Sequence, residues 1–141
     1  MKNIRKTTGS TNNTTKGIGI GILISIFTAF LLSILLTVLV ENETIRPESV
    51  PVVAAAVHAI SVFFGAMVAT TIEKGRIAVI AGISGAGYFI LLLCINMLVF
   101  SSGFNYILSC AAGVLCGVLI TILIKAKFAG KKKHRIKIPS R

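Results

Sequence analysis

Charged side chains are scarce in this chain and are missing from most of its length. The 141 residues include only four acidic residues, all of them glutamate, and 15 basic residues. No Asp, Glu, Lys or Arg occurs in residues 17–40, 49–72, 77–100 or 101–124. A soluble domain of this size carries charged residues on every element that faces water, so this pattern excludes the soluble class.

The residues that enzymes and metal centres require are also few. Tryptophan is absent, and the two histidines, His58 and His134, lie in different parts of the chain. No G-x-S-x-G, H-E-x-x-H or phosphate-loop motif occurs, and no carboxylate lies within an uncharged stretch. The cysteines lack C-x-x-C spacing, so we expect them to act as small apolar residues; they are Cys94, Cys110 and Cys116. We therefore predict that the protein is not an enzyme and has no catalytic residue, metal site or cofactor.

The four uncharged stretches are long enough to cross a membrane. A helix rises 1.5 Å per residue, so about 22–24 residues extend roughly 33–36 Å, which exceeds a hydrocarbon core of about 30 Å. These lengths predict an all-α membrane protein with four transmembrane helices, at about 17–40, 50–72, 77–100 and 103–124. Because the connections are short, we expect an antiparallel bundle to occupy residues 17–124.

The basic residues are concentrated on one side of these spans. With four spans, residues 1–16, the turn at 73–76 and residues 125–141 share one side of the membrane, and they contain fourteen of the 15 basic residues. The positive-inside rule then predicts a multi-pass membrane protein with both termini in the cytoplasm. Residues 1–16 are polar and basic, so we expect a disordered tail there, and residues 125–141 form a second cytoplasmic basic tail.

Small residues recur at every fourth position of the spans, where they allow two helix backbones to approach closely in lipid. Span 2 has Ser61, Gly65 and Ala69, and we expect this row to face span 3, because spans 2 and 3 are joined by a turn of only four residues. The residues that we predict to mediate helix packing are Gly65, Gly82, Ala86, Gly113 and Gly117.

Three polar residues within the spans are candidates for a functional site, because polar groups at membrane depth are expensive to bury. His58 and Asn96 are expected at similar depths on spans 2 and 3. The imidazole either has a function or only forms a structural hydrogen bond with Asn96, Ser61 or a backbone carbonyl, and the sequence favours the structural role. Tyr88 lies near the middle of span 3, so we expect its hydroxyl to have a hydrogen-bond partner.

The C-terminal tail contains eight bases and no acid. Basic residues that follow a span attract anionic lipid headgroups, by about 1 kcal/mol each near the surface. Only one aromatic residue, Phe128, lies in this tail and no recognition fold is present, so we expect lipid contact and no nucleic-acid binding. The residues predicted to contact headgroups are Lys131, Lys132, Lys133 and Arg135.

The central segment, residues 61–93, contains a glycine in span 2, a short basic turn, a Gly-x-x-x-Ala row and an aromatic residue. It resembles the middle of a family of small, uncharacterised four-span membrane proteins of spore-forming Gram-positive bacteria. The positions that carry the resemblance are Gly65, Lys74, Gly75, Arg76, Gly82, Ala86 and Tyr88. The resemblance implies a bacterial plasma membrane and specifies no activity.

These observations favour a non-enzymatic membrane protein that has a structural role or binds another membrane component, including a second copy of itself. The alternative is a pathway for an ion or small solute formed by an oligomer, in which His58 would be the only titratable group near neutral pH within a span. A holin-like role in membrane permeability is a weaker alternative, suggested by size, hydrophobicity and the basic tail.

Overall fold

The computed structural model describes residues 7–72, 76–99 and 104–133. All regular secondary structure in these residues is helical. Four α-helices, α1 to α4, are Thr7–Glu41, Val50–Ile72, Ile77–Val99 and Phe104–Lys133, and a short 3-10 helix over Pro47–Ser49 precedes α2.

Each α-helix contains a segment that is long and apolar enough to cross a membrane. The four segments are Thr14–Glu41, Val50–Ile72, Ile77–Met97 and Tyr106–Phe128. Large apolar side chains, such as Leu23, Phe27 and Leu115, are more than 60% exposed on the outside of the fold, whereas a protein in water would cover much of this surface. The prediction of an all-α protein with four helices able to span a membrane is confirmed.

Two of the helices are longer than the sequence predicted. Helix α1 begins at Thr7, so residues 7–16, which were predicted to be disordered, are helical. Helix α4 continues to Lys133, beyond the predicted end of span 4 at residue 124. Extending an existing helix adds a hydrogen bond for each residue without a new nucleation step, so a span can continue into polar sequence.

A tight cap ends α1. The backbone N–H of Thr44 donates to the carbonyl of Leu39 at 3.1 Å, and that of Glu43 donates to the carbonyl of Val40 at 3.0 Å. This is the Schellman arrangement, in which the residue after the helix takes a left-handed conformation. Glu43 occupies that position with a φ of 55°, although glycine is the residue best suited to it.

Helix α2 is the centre of the fold, and it packs more extensively against α1 and α4 than against α3. A Cβ at Gly65 would overlap the hydroxyl of Ser25 and the carbonyl oxygen of Gly21, both on α1. The row of Ser61, Gly65 and Ala69 therefore contains the closest approach to α1, so the expectation that it faces α3 is wrong. Two segments that are adjacent in sequence are not the most closely packed pair here.

Glycines of α4 allow a similarly close approach to α2. A Cβ at Gly113 would overlap the backbone carbonyl of Ala55, and a Cβ at Gly117 would lie 2.5 Å from the carbonyl oxygen of Ala59. Both positions were predicted from the sequence to mediate helix packing. The structure thus places Gly65, Gly113 and Gly117 at helix–helix contacts, where only the absence of a side chain permits the observed spacing.

Helix α3 presents a different face to its neighbours than the sequence suggested. No atom lies within 4 Å of a Cβ built on Gly82, and Ala86 is exposed. Ala81 and Gly85 are buried instead, and a Cβ at Gly85 would overlap the side chain of Val118 on α4. Gly82 and Ala86 therefore do not take the packing role predicted for them, because the parallel row that contains Ala81 and Gly85 faces inward.

Candidate functional site

A histidine of α2 and a tyrosine of α3 form a hydrogen bond inside the fold. The Nδ1 atom of His58 lies 2.8 Å from the Oη atom of Tyr88, and the two ring centroids are 6.1 Å apart. The side chains are 9% and 3% exposed. A hydrogen-bond partner was expected for the Tyr88 hydroxyl, and in the structure that partner is His58. Ser61, which was considered as a partner of His58, donates its hydroxyl to the carbonyl of Val57 at 2.7 Å.

The His58–Tyr88 pair keeps hydrogen-bonding capacity whichever group donates. If the Tyr88 hydroxyl donates to Nδ1, the other ring nitrogen, Nε2, has the N–H group, and the tyrosine oxygen can still accept. If Nδ1–H donates to the tyrosine oxygen, the hydroxyl hydrogen is free to donate elsewhere and Nε2 can accept. In both cases the pair has one further donor and one further acceptor.

This pair lines a cavity of about 500 Å³. All four α-helices contribute to its wall, and α1 and α3 supply most of the residues. Volumes between about 300 and 1,000 Å³ are typical of binding sites for small molecules. The polar residues that line it are Ser33, His58, Tyr88, Asn96 and Tyr106.

Asn96 lines the same cavity as His58, although the two do not bond to each other. Its side chain is only 7% exposed, yet its carboxamide makes no hydrogen bond with any residue in the described part of the chain. The only fully buried side-chain N or O atom without a partner in the described residues is the Ser84 hydroxyl, so the carboxamide of Asn96 is open to the cavity. His58 and Asn96 therefore line one cavity, and the unpaired carboxamide is a group that a bound molecule could satisfy.

The remaining wall of the cavity is apolar and reaches the outer surface of the fold. Phe30 of α1 is 64% exposed and Ile95 of α3 is 53% exposed, and both also line the cavity. The cavity therefore opens laterally between α1 and α3, on a surface that is itself apolar. The apolar residues that line it are Ile26, Ala29, Phe30, Leu91, Leu92 and Ile95.

Close packing of α1, α2 and α3 limits the cavity at its other end. A Cβ built on Gly21 would lie 2.8 Å from the carbonyl oxygen of Gly65 and 2.9 Å from the Oγ atom of Ser84. Ser84 lies one turn from Tyr88 on α3, and its hydroxyl is buried without a hydrogen-bond partner among the described residues. There is no room for a side chain at this crossing, so the cavity is closed in this direction.

The cavity occupies one half of the helices. Asn96 lies three residues from the end of α3 and Tyr106 lies two residues from the start of α4, or about 3–5 Å along each axis. His58 is eight residues, or roughly 12 Å, from the start of α2. The site thus extends from near the ends of the helices toward their middle.

A second polar contact lies at the opposite ends of α2 and α4. The Nζ atom of Lys125 donates to the Oγ1 atom of Thr71 at 2.8 Å. From the sequence, Lys125 was expected only to belong to a basic tail, and this contact was not predicted. Of the bases predicted to contact lipid, Lys131, Lys132 and Lys133 belong to α4 but their side chains lie outside the described residues, as does all of Arg135.

Comparison with known proteins adds a family and no activity. A search of curated proteins and a search of solved structures each returned no match. A family model described as "Protein of unknown function (DUF3792)" matches residues 14–123, which include parts of all four α-helices and every residue that lines the cavity. The resemblance to a family of unknown function is thereby confirmed. The match covers most of the 141 residues, so this chain belongs to the DUF3792 family of proteins of unknown function.

Proposed function

We propose that this chain is a non-enzymatic, multi-pass protein of a bacterial plasma membrane that binds another membrane component in the cavity beside His58. The observation that carries the proposal is the carboxamide of Asn96, which has no partner among the described residues and lines a cavity that opens onto an apolar surface. Polar groups are expensive to bury at membrane depth and frequently mark functional sites there. A molecule that reaches the cavity from the lipid would satisfy this group.

In this proposal the four helices form an antiparallel bundle with both termini in the cytoplasm. The support is the concentration of bases outside the spans on one side. The proximity of Gly17 to Ile72, and the contact of Thr71 with Lys125, agree with it. They bring the start of the apolar segment of α1 beside the end of α2 and the end of the apolar segment of α4. The cavity then faces the outer half of the bilayer.

Binding is favoured over catalysis by the chemistry of the wall. The described residues that line the cavity include one imidazole and two phenols, but no carboxylate, cysteine or lysine. Covalent catalysis needs an activated nucleophile and a third group that orients its base, and the described wall offers no carboxylate to orient the His58 imidazole. The His58–Tyr88 pair is better suited to orient a ligand by hydrogen bonds.

The alternative of an ion or solute pathway gains less support from the geometry. A path through a single chain would have to continue from Tyr88 past Ser84 to the cytoplasmic end. The close contact of Gly21 with Gly65 and Ser84 blocks that route. A pathway would therefore have to run between chains of an oligomer.

Retention of a lipid-soluble molecule through purification tests the proposed function. Ala29 lines the cavity, whereas Ala56 is exposed on the outside of α2. We expect the wild type and the Ala56→Phe variant to retain a small molecule detectable by mass spectrometry after detergent extraction. The Ala29→Phe variant, with a phenyl ring in the cavity, should lose it. Equal retention by all three proteins would contradict the proposal.

A further inference from the structure

The described wall of the cavity contains one imidazole and two phenols, and no carboxylate, ammonium or guanidinium group that could balance a charged ligand. Among the described residues that form it, none is Asp, Glu, Lys or Arg. Lys16, Arg46 and Arg76, the described bases nearest in sequence to the lining residues, lie outside the wall. An ion buried without a partner is strongly unfavourable, so the part of a ligand that enters this cavity is uncharged.

The volume suits a small head with one chain. A cavity of about 500 Å³ lies within the range of about 300–1,000 Å³ that is typical of sites for small molecules. A small polar head and the first methylene groups of one alkyl chain fit in such a space. A second acyl chain would have to share the same opening between α1 and α3 before it extended across half of a hydrocarbon core of about 30 Å.

The polar groups of the wall suit a head that both donates and accepts hydrogen bonds. The His58–Tyr88 pair has one free donor and one free acceptor in either arrangement, as described above. The Asn96 carboxamide has two N–H donors and a carbonyl oxygen, and none of them is paired with a described residue. A hydroxyl group or a glycerol ester satisfies both kinds of group, whereas a plain hydrocarbon satisfies neither.

The position of the opening indicates how the alkyl chain of the ligand is oriented. Phe30, Leu91 and Ile95 line the cavity and are also exposed on the outside of the fold. An alkyl chain that leaves the cavity between these residues remains on an apolar surface and continues into the lipid. The head then lies against His58, Tyr88 and Asn96 while the chain points outward between α1 and α3.

We propose that the cavity binds an uncharged, single-chain amphiphile with a hydroxyl-bearing head, of the chemical class of a monoacylglycerol. This inference rests on the binding function proposed above and adds the class of ligand. The head hydrogen-bonds to Asn96 and to the His58–Tyr88 pair, and the chain passes between α1 and α3 into the outer half of the bilayer.

Photolabelling of the full-length protein in liposomes tests the inference. Four probes carry the same diazirine-labelled acyl chain: a monoacylglycerol, the free fatty acid, a lysophosphatidylglycerol and a diacylglycerol. We expect saturable labelling by the monoacylglycerol, located by mass spectrometry to residues around the cavity and competed by unlabelled monoacylglycerol. The two anionic probes test the requirement for an uncharged head, and the diacylglycerol tests the restriction to one chain.

Substitutions in the wall connect the labelling to the cavity. Asn96→Leu removes the carboxamide at similar size, and we expect saturable labelling to weaken about fivefold, as for the loss of one hydrogen bond. Tyr88→Phe removes the hydroxyl and should have an effect of similar size. Ala29→Phe should abolish the labelling, and Ala56→Phe, the same change at an exposed position, should leave it at the wild-type level. Circular dichroism of each variant checks that the helices are intact.

The two proposals fail in different ways. If an anionic or two-chain probe labels the cavity more strongly than the monoacylglycerol, and Ala29→Phe abolishes that labelling, the class of ligand is wrong but the binding function stands. If no probe labels the cavity saturably and the purified wild type retains no small molecule, both proposals are wrong. Equal labelling of the wild type and Asn96→Leu by the monoacylglycerol also overturns the proposed class.

Discussion

A comparison of two glycine-to-alanine substitutions tests how closely the helices of this fold pack. Gly65 lies where α2 crosses α1, and an added Cβ would overlap both the Ser25 hydroxyl and the carbonyl oxygen of Gly21. Gly82 of α3 has no atom within 4 Å of the same position. The chemical change is identical at the two sites, so the difference in stability reports the contact alone.

The expected magnitude follows from two opposing effects. Alanine is favoured over glycine in a helix by about 1 kcal/mol, and this gain applies to both sites. At Gly65 the new methyl group meets a backbone carbonyl that cannot rotate away, and overpacking of this kind costs typically 1–3 kcal/mol or more. We expect Gly82→Ala to stabilise the protein by up to about 1 kcal/mol and Gly65→Ala to destabilise it by about 2 kcal/mol, a separation of roughly 100-fold in the unfolding equilibrium.

Reversible unfolding in mixed micelles with increasing SDS, followed by circular dichroism, measures both free energies under one condition. Combining Gly65→Ala with Ser25→Ala should recover only part of the loss, since the Gly21 carbonyl remains in place. If Gly65→Ala is as stable as Gly82→Ala, α1 and α2 do not approach each other at Gly65 and the packing described here is refuted.

Three further substitutions have expected outcomes in the same unfolding assay. Glu43→Gly should stabilise the protein by roughly 0.5–1 kcal/mol, because glycine adopts the positive φ of 55° without strain; a loss of stability would contradict the cap. Tyr88→Phe should destabilise it by about 1–3 kcal/mol, because the His58 ring loses its buried partner, and Tyr106→Phe, which leaves the His58–Tyr88 bond intact, is the control. Lys125→Met should change stability by less than about 1 kcal/mol, because its bond to Thr71 is exposed; a larger loss would show that the contact is a main connection between α2 and α4.

Much of the fold follows from the distribution of charge. The uncharged stretches located the four spans, because a lysine or glutamate within a span is too costly to place without a purpose. The predicted start of the first helix and the predicted end of the fourth were wrong, because the helices extend to Thr7 and Lys133. Charged residues mark the boundary of the lipid, and a helix can continue beyond that boundary. The periodicity of small residues indicated close packing without identifying the partner helix, and this is why the row of Gly65 was first assigned to α3.

The residues of the candidate site were predictable from the sequence, but the hydrogen bond between His58 and Tyr88 was not. His58, Tyr88 and Asn96 stand out because each is a polar residue within a span, and all three line the cavity. The spacing of polar residues on α3 could have identified the buried face of this helix. Ser84 and Tyr88 are four residues apart and therefore lie on one face, which is buried, whereas Gly82 lies outside it. The cavity itself depends on how four helices meet, and no single-helix pattern contains that information.

The most direct test of the proposed binding cavity is the nitrogen-15 NMR signal of the His58 imidazole. The sequence has only two histidines, so a His134→Ala variant leaves His58 as the single reporter. On addition of a monoacylglycerol to the labelled protein in bicelles, we expect the two ring nitrogen shifts to change to a saturating value, and the same addition to leave an Ala29→Phe variant unchanged. Shifts that stay constant in both proteins, or change equally in both, would contradict the binding of a monoacylglycerol beside His58.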